Sequence, residues 1–525
     1  MHHFSSLEDE LGSHYEEEIS RDTPDTPGGI HEQSTVDIPN SQTEPDENTH
    51  LLHKIRPSKK QVYNWVQIQL KFSVLPVAVV LAWCAIPVPY NYPNPNDDSN
   101  IFSVDHIKKR LLGLYSPSND TDSYLKDKKV EINFWFFLFF YYGIYNAIAL
   151  LMITKIFDLY SLNWWPKWLG GRFAYCVFWL MSLFVGVLIY LFTGLEKYTL
   201  TWVLLTFMTM NMPLLVAFVV IRSQNRNTFR HSLTLHQKTF LERELEYRIP
   251  ASYVRFLWFC TTLFLVIAAF IAGEAYAHVF LMSPETHSGI DAFIYVYSWL
   301  ATIYILDTVT EYIIETRVKS QILQFVFKLY FFMIYFIFYR NLFARLRDSE
   351  QYILIQAASS LWVCIFYPLC MTRKVHEFLV DYVGIRRKDY NEYQKYCGRS
   401  FFIRNLAENA TMLGFICWIN LIHNGPNNEV YPYFNFEDGN AFNYNLTLRA
   451  SCVIWAFELA SSAITRTIYK RVFNHNISRE AMKDFESHPK MVITMIVIII
   501  HVLQDMLLAL ISLNFEGGHS KKQKP

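Results

Sequence analysis

The sequence predicts an all-α, polytopic bundle of transmembrane helices, about eleven spans with a range of ten to twelve, behind a disordered acidic N-terminal tail. Three observations carry this expectation. Of 525 residues, 52% are hydrophobic and 17% aromatic, while charged residues make up 18%, below the roughly 25% usual in soluble domains. Apolar runs of the length a helix needs to cross a hydrocarbon core, about twenty residues, recur between residues 66 and 514. Lys and Arg gather in alternate loops, as they do in chains that thread a membrane.

The chain divides by composition into a cytosolic acidic tail over 1–60, a helical membrane domain over 61–515 and a short basic tail over 516–525. Residues 1–50 hold thirteen Asp and Glu against Arg21 alone, and stretches such as RDTPDTPGGI cannot bury enough apolar surface to offset chain entropy. Within the tail, Glu47-Asn-Thr-His-Leu51-Leu52 resembles an acidic dileucine sorting signal. The resemblance implies cytosolic sorting adaptors as partners and an endolysosomal or vacuolar membrane, with the plasma membrane or endoplasmic reticulum as alternatives.

The spans fall near 66–88, 132–155, 173–194, 198–221, 256–281, 291–315, 321–343, 352–371, 402–423, 448–467 and 491–514. The loop after the fourth carries Arg222, Arg226, Arg230, Lys238, Arg243 and Arg248, and Arg373, Lys374, Arg386, Arg387 and Lys388 follow the eighth. His423 to Leu448 holds neither Lys nor Arg, so alternation from a cytosolic N-terminus puts the rich loops inside. On the outer side Asn119-Asp-Thr fits the N-glycosylation pattern, as does Asn445-Leu-Thr, whereas Asn409-Ala-Thr and Asn476-Ile-Ser fall at or inside the membrane. Asn211 and Pro213 are expected to interrupt the fourth span, because proline cannot donate to the carbonyl of Thr209.

Charges at bilayer depth cost at least about 2.5–3.5 kcal/mol and so mark positions worth explaining. Asp307 and Glu311 lie one turn apart on one face of the sixth span. Counting about 1.5 Å per residue from the span midpoints puts Asp307 and Lys328 of the next span at equal depth, on the cytosolic side. Two arrangements follow. Either the acids mark the helix exit while Lys328 snorkels to headgroups, or Asp307 and Lys328 pair across neighbouring helices. Glu458 and His501 fall near the midpoints of the last two spans, with Asp505 one turn beyond His501, and a carboxylate opposite an imidazole can trade a proton. An interhelical hydrogen bond is the plainer use of the same residues. Glu274 and His278 share one face in the outer half of the fifth span, as a proton or cation site or as that helix's wet end.

The eight cysteines form neither a CxxC pair nor a disulfide framework, and the sequence contains no GxxxxGK loop, HExxH helix or GxSxG turn. Catalytic residues, metal ligands, cofactors and nucleic acid are therefore not expected. A proton- or cation-coupled secondary transporter of an unknown small solute accounts for many spans with acids and histidines spread among them. In that expectation Glu458, His501 and Asp505 are the coupling site, and Asp307, Glu311, Lys328 and Glu274 are further candidates, with Asp307 as gate or helix-pair lock. A non-transporting receptor or scaffold is the alternative. Third comes an intramembrane lipid-modifying enzyme such as an acyltransferase, for which His423, followed by Asn424 at the outer edge of the ninth span, is the candidate histidine.

Overall fold

A helix apolar on every side must sit inside others, and QILQFVFKLYFFMIYFIFYRNLF is such a helix: between Val326 and Arg340 every side chain is buried. The computed structural model describes residues 59–91, 130–160, 172–232, 251–282, 289–343, 349–382, 389–434 and 444–515. Glu47, Leu51, Leu52, Asn119 and the C-terminal tail lie outside the described residues. Glu274, His278 and Asp291 belong to helices, but their side chains are outside the described ones.

Thirteen α-helices follow one another among the described residues. They are α1 (59–84), α2 (Phe134–Tyr160), α3 (Arg172–Phe192), α4 (Thr199–Ser232), α5 (Ala251–Met282), α6 (Gly289–Ile313), α7 (Gln321–Phe343), α8 (Ser349–Cys370), the short α9 (Arg373–Tyr382), α10 (Tyr390–His423), α11 (Tyr444–Val472), the short α12 (Ile477–Ser487) and α13 (Pro489–Leu510). Single π turns lie within α1 at Leu70–Val74 and within α2 at Phe137–Tyr142, and another ends α6 at Ile314–Val318. Among the described residues the one sheet is a two-residue antiparallel ribbon, β1 (Tyr90–Asn91) with β2 (Glu131–Ile132).

Local chemistry sets the ends. Asn133 caps α2, its side chain accepting from Phe136 N at 3.0 Å, and Asn476 caps α12 through Arg479 N. Asn427 pins the end of α1: its amide donates to the carbonyls of Cys84 and Ile86, and its oxygen accepts from Val88 N at 2.9 Å. Within the bundle α7 packs against α5, α6, α10 and α13, α8 against α11, and α13 against α1 and α2. Close approach of α5 to α7 depends on Gly273, where a Cβ would stand 2.2 Å from the ring of Phe338.

Among the described residues, seven helices are long and apolar enough to cross a membrane: Trp65–Cys84, Phe134–Tyr160, Phe173–Phe192, Thr199–Val219, Val254–Gly273, Gln321–Arg340 and Pro489–Leu510. Four of the expected eleven spans are not among them. They correspond to α6, α8, α10 and α11, of 25, 22, 34 and 29 residues. Two of these carry polar residues through their buried middle, as in Arg404, Asn405, Glu408 and Asn409 of α10 and Glu458 of α11. The expected break in α4 is absent. The helix continues through Pro213, and Thr209 and Asn211 turn their side chains back to the carbonyls of Leu205 and Phe207.

Candidate functional site: a charged seam along one buried helix

Three charged clusters line up along the central helices. The first joins α6, α7 and α10. Lys328 Nζ stands 3.4 Å from Asp307 Oδ2 and 3.1 Å from Glu311 Oε2. The hydroxyl of Tyr396 accepts from Lys328 and donates to Glu311, and Gln324 donates to the other oxygen of Glu311. Lys328 also sits 4.7 Å above the ring of Tyr396. Glu311 thus receives three donors, whereas the ammonium of Lys328 is the charge partner of Asp307. A single lysine is shared by two carboxylates, and its side chain is only 5% exposed.

One layer of phenols separates this cluster from the next, where Tyr304 and Tyr367 bond hydroxyl to hydroxyl at 2.8 Å. Beyond them Arg404 and Glu408, four residues apart on α10, form a two-pronged pair at 3.1 Å for each bond. Arg340 of α7 meets Glu458 of α11: Nη2 donates to Oε2 at 2.7 Å, and Nη1 stands 2.6 Å from Oε1 as a charge contact. The ring of Phe336 lies under both guanidinium groups, 5.2 Å from that of Arg404 and 5.6 Å from that of Arg340. Arg466 donates to Asn405, which also accepts from Asn409, and Asn409 accepts from the Trp455 indole. Lys328 and Arg340 are twelve residues apart on α7, so the seam runs about 18 Å along that helix.

The third cluster lies on the opposite side of α7. The hydroxyl of Tyr145 on α2 donates to Asp505 of α13, and its ring stacks on His501 at 5.3 Å between centroids. His501 and Asp505 therefore share one face, but Glu458 does not meet them. Glu458 is committed to Arg340, so proton exchange between Glu458 and His501 is not what the fold arranges. Geometry also selects between the two arrangements open to Lys328, which is buried against Asp307 and Glu311 rather than extended to the lipid surface. His423 stacks on Tyr444 at 4.4 Å.

Sequence reasoning missed Arg340, Arg404, Glu408, Tyr145 and Tyr396. The spacing of Arg404 and Glu408 was a usable signal, since charges four apart on a helix neutralise each other. Arg340 sits near the end of its span, where an arginine reads as a headgroup contact.

Apolar helices of crossing length around buried ion pairs are compatible with a helical membrane protein. The chain belongs to the family whose model is described as SPCC553.12c, which matches residues 55–511. It is similar to the "Uncharacterized protein C553.12c" of Schizosaccharomyces pombe, with 35% identity over 466 residues, covering 87% of this chain and 82% of that protein. No solved structure matches the chain.

Proposed function

We propose that this protein is a proton-coupled carrier of a small solute, and that Asp307 is the group that takes up and releases the proton. The supporting observation is the sharing of Lys328 by Asp307 and Glu311. Two carboxylates against one ammonium leave an excess negative charge in a site of low dielectric, where a proton or a second cation is the economical way to neutralise it. Glu311, with donors from Lys328, Tyr396 and Gln324, is held as the carboxylate. Asp307 is left as the exchanging group, which reverses the order expected from the sequence. In this scheme α6, α8, α10 and α11 also cross the bilayer, giving eleven spans. The buried Arg404 and Glu408 of α10 and Glu458 of α11 are neutralised in pairs, so the cost of inserting those helices falls.

Reconstituted protein in liposomes, challenged with a panel of small solutes under an imposed pH gradient, tests this. The expected result is uptake of at least one solute that follows the gradient and is lost in Asp307→Asn while the variant remains folded. No flux across the panel would instead favour a scaffold or receptor. That second reading draws on the Arg404–Glu408 and Arg340–Glu458 pairs, which look like locks between and within helices. Traffic to an acidic organelle through Glu47, Leu51 and Leu52 remains part of the proposal, because a cytosol-directed proton gradient there would drive coupled export.

A further inference from the structure

His501, Gln504 and Asp505 lie on neighbouring turns of α13, and none is more than 1% exposed. Tyr145 of α2 binds Asp505 and stacks on His501. Helix α7 packs against both α13 and α2, which brings Tyr330 of a third helix to the same part of the bundle. Helices α2 and α13 run antiparallel, with Tyr145 beside Asp505 and Lys155 beside Thr494. That register sets Asn146 level with Gln504.

Seven buried polar atoms here have no protein hydrogen-bond partner among the described residues: both ring nitrogens of His501, both amide atoms of Gln504 and of Asn146, and the hydroxyl of Tyr330. A neutral imidazole has one donor and one acceptor to satisfy, and a carboxamide has both kinds. Leaving a buried polar group unmet costs more than an ordinary hydrogen bond contributes, so seven together would rival the stability of a whole domain. Buried water removes that cost, since each molecule makes about three hydrogen bonds. Space adjoins the cluster. Tyr330 lines a cavity of about 30 Å³ whose walls are otherwise apolar apart from Asn211, and which reaches towards the cluster as far as Ile498, one turn before His501. A volume of that size has room for water where polar groups face it, and Tyr330 supplies the hydroxyl at the end nearest the cluster.

We infer that α2, α7 and α13 enclose an internal water-binding site, in which bound water bridges His501, Tyr330, Asn146 and Gln504 to the Tyr145–Asp505 pair. The site rests on hydrogen-bond satisfaction and is independent of whether the protein carries a solute. Water joining an imidazole to a carboxylate is also the medium through which a proton moves between them, so the site is a second place for proton exchange on the far side of α7 from Asp307.

X-ray radiolytic labelling in ¹⁸O-water tests this on the full wild-type chain in lipid nanodiscs, because radicals made from bound water mark the side chains that touch it. Tyr142 is the like-for-like reference, a buried tyrosine whose hydroxyl already meets Ser182 at 2.6 Å. The expected result is labelling of Tyr145 and Tyr330 at least five-fold faster than Tyr142. Labelling of both no faster than Tyr142 would overturn the site and mean that the polar atoms meet one another. In Tyr330→Phe the rate at Tyr145 is expected to fall while that at Tyr142 holds; an unchanged rate at Tyr145 would contradict the bridging role of Tyr330. Neither outcome depends on flux, so this test and the transport test fail separately.

Discussion

Arg340 and Glu458 form a buried pair between α7 and α11, with Nη2 donating to Oε2 at 2.7 Å and both side chains no more than 4% exposed. Removing one partner strands the other charge, which typically costs about 3–5 kcal/mol, whereas replacing both with apolar residues is often close to neutral. Arg340→Met is therefore expected to lower the unfolding midpoint in detergent sharply. The double variant Arg340→Met with Glu458→Met should recover most of the loss. A double variant as unstable as the single one would mean that the pair is not the main partner of either residue.

The Lys328 cluster predicts a different pattern. Lys328→Met leaves two carboxylates facing each other without a cation, so it is expected to destabilise by about 3–5 kcal/mol. Adding Glu311→Gln should recover part of that loss. The carboxamide removes the charge yet still accepts from Tyr396. Thermal unfolding of the four proteins in a double-mutant cycle reads the coupling directly. Additive effects would remove the shared-lysine account.

Contact between α5 and α7 is testable without any charge. Gly273→Ala places a Cβ at 2.2 Å from Cε2 of Phe338, too close for the helices to keep their spacing. A loss of about 1–3 kcal/mol is expected from such overpacking. Phe338→Leu in the same chain should relieve it, and a Gly273→Ala protein as stable as wild type would mean that α5 stands further from α7.

How much of this was legible beforehand depends on the kind of information each feature needs. Depth along a helix is a matter of counting, which is why Asp307 and Lys328 could be set at one level from the spans alone. Rotation about a helix axis is not. Glu458 and His501 were matched by depth, yet Glu458 faces Arg340 of α7 and His501 faces Tyr145 of α2. Tyr145 and Tyr396 gave no signal, because a tyrosine in a membrane helix is common and its hydroxyl partner lies on another helix. The runs at 402–423 and 448–467 do fall within helices, α10 and α11, but these carry polar residues through their middles and are not among the seven apolar enough to cross a membrane. Their interior charges became explicable only once Arg404 was seen on Glu408 and Arg340 on Glu458.

The central claim, that Asp307 and Glu311 share Lys328 and that Asp307 takes up the proton, is tested most directly by infrared difference spectroscopy of the reconstituted protein across a pH titration. A protonated carboxylic acid in a dry setting has a carbonyl stretch well separated from that of an ionised carboxylate. The account predicts such a band in the wild type, its titration with pH, and its loss in Asp307→Asn but not in Glu458→Gln. A wild-type protein without that band, or a band that survives in Asp307→Asn, would contradict it.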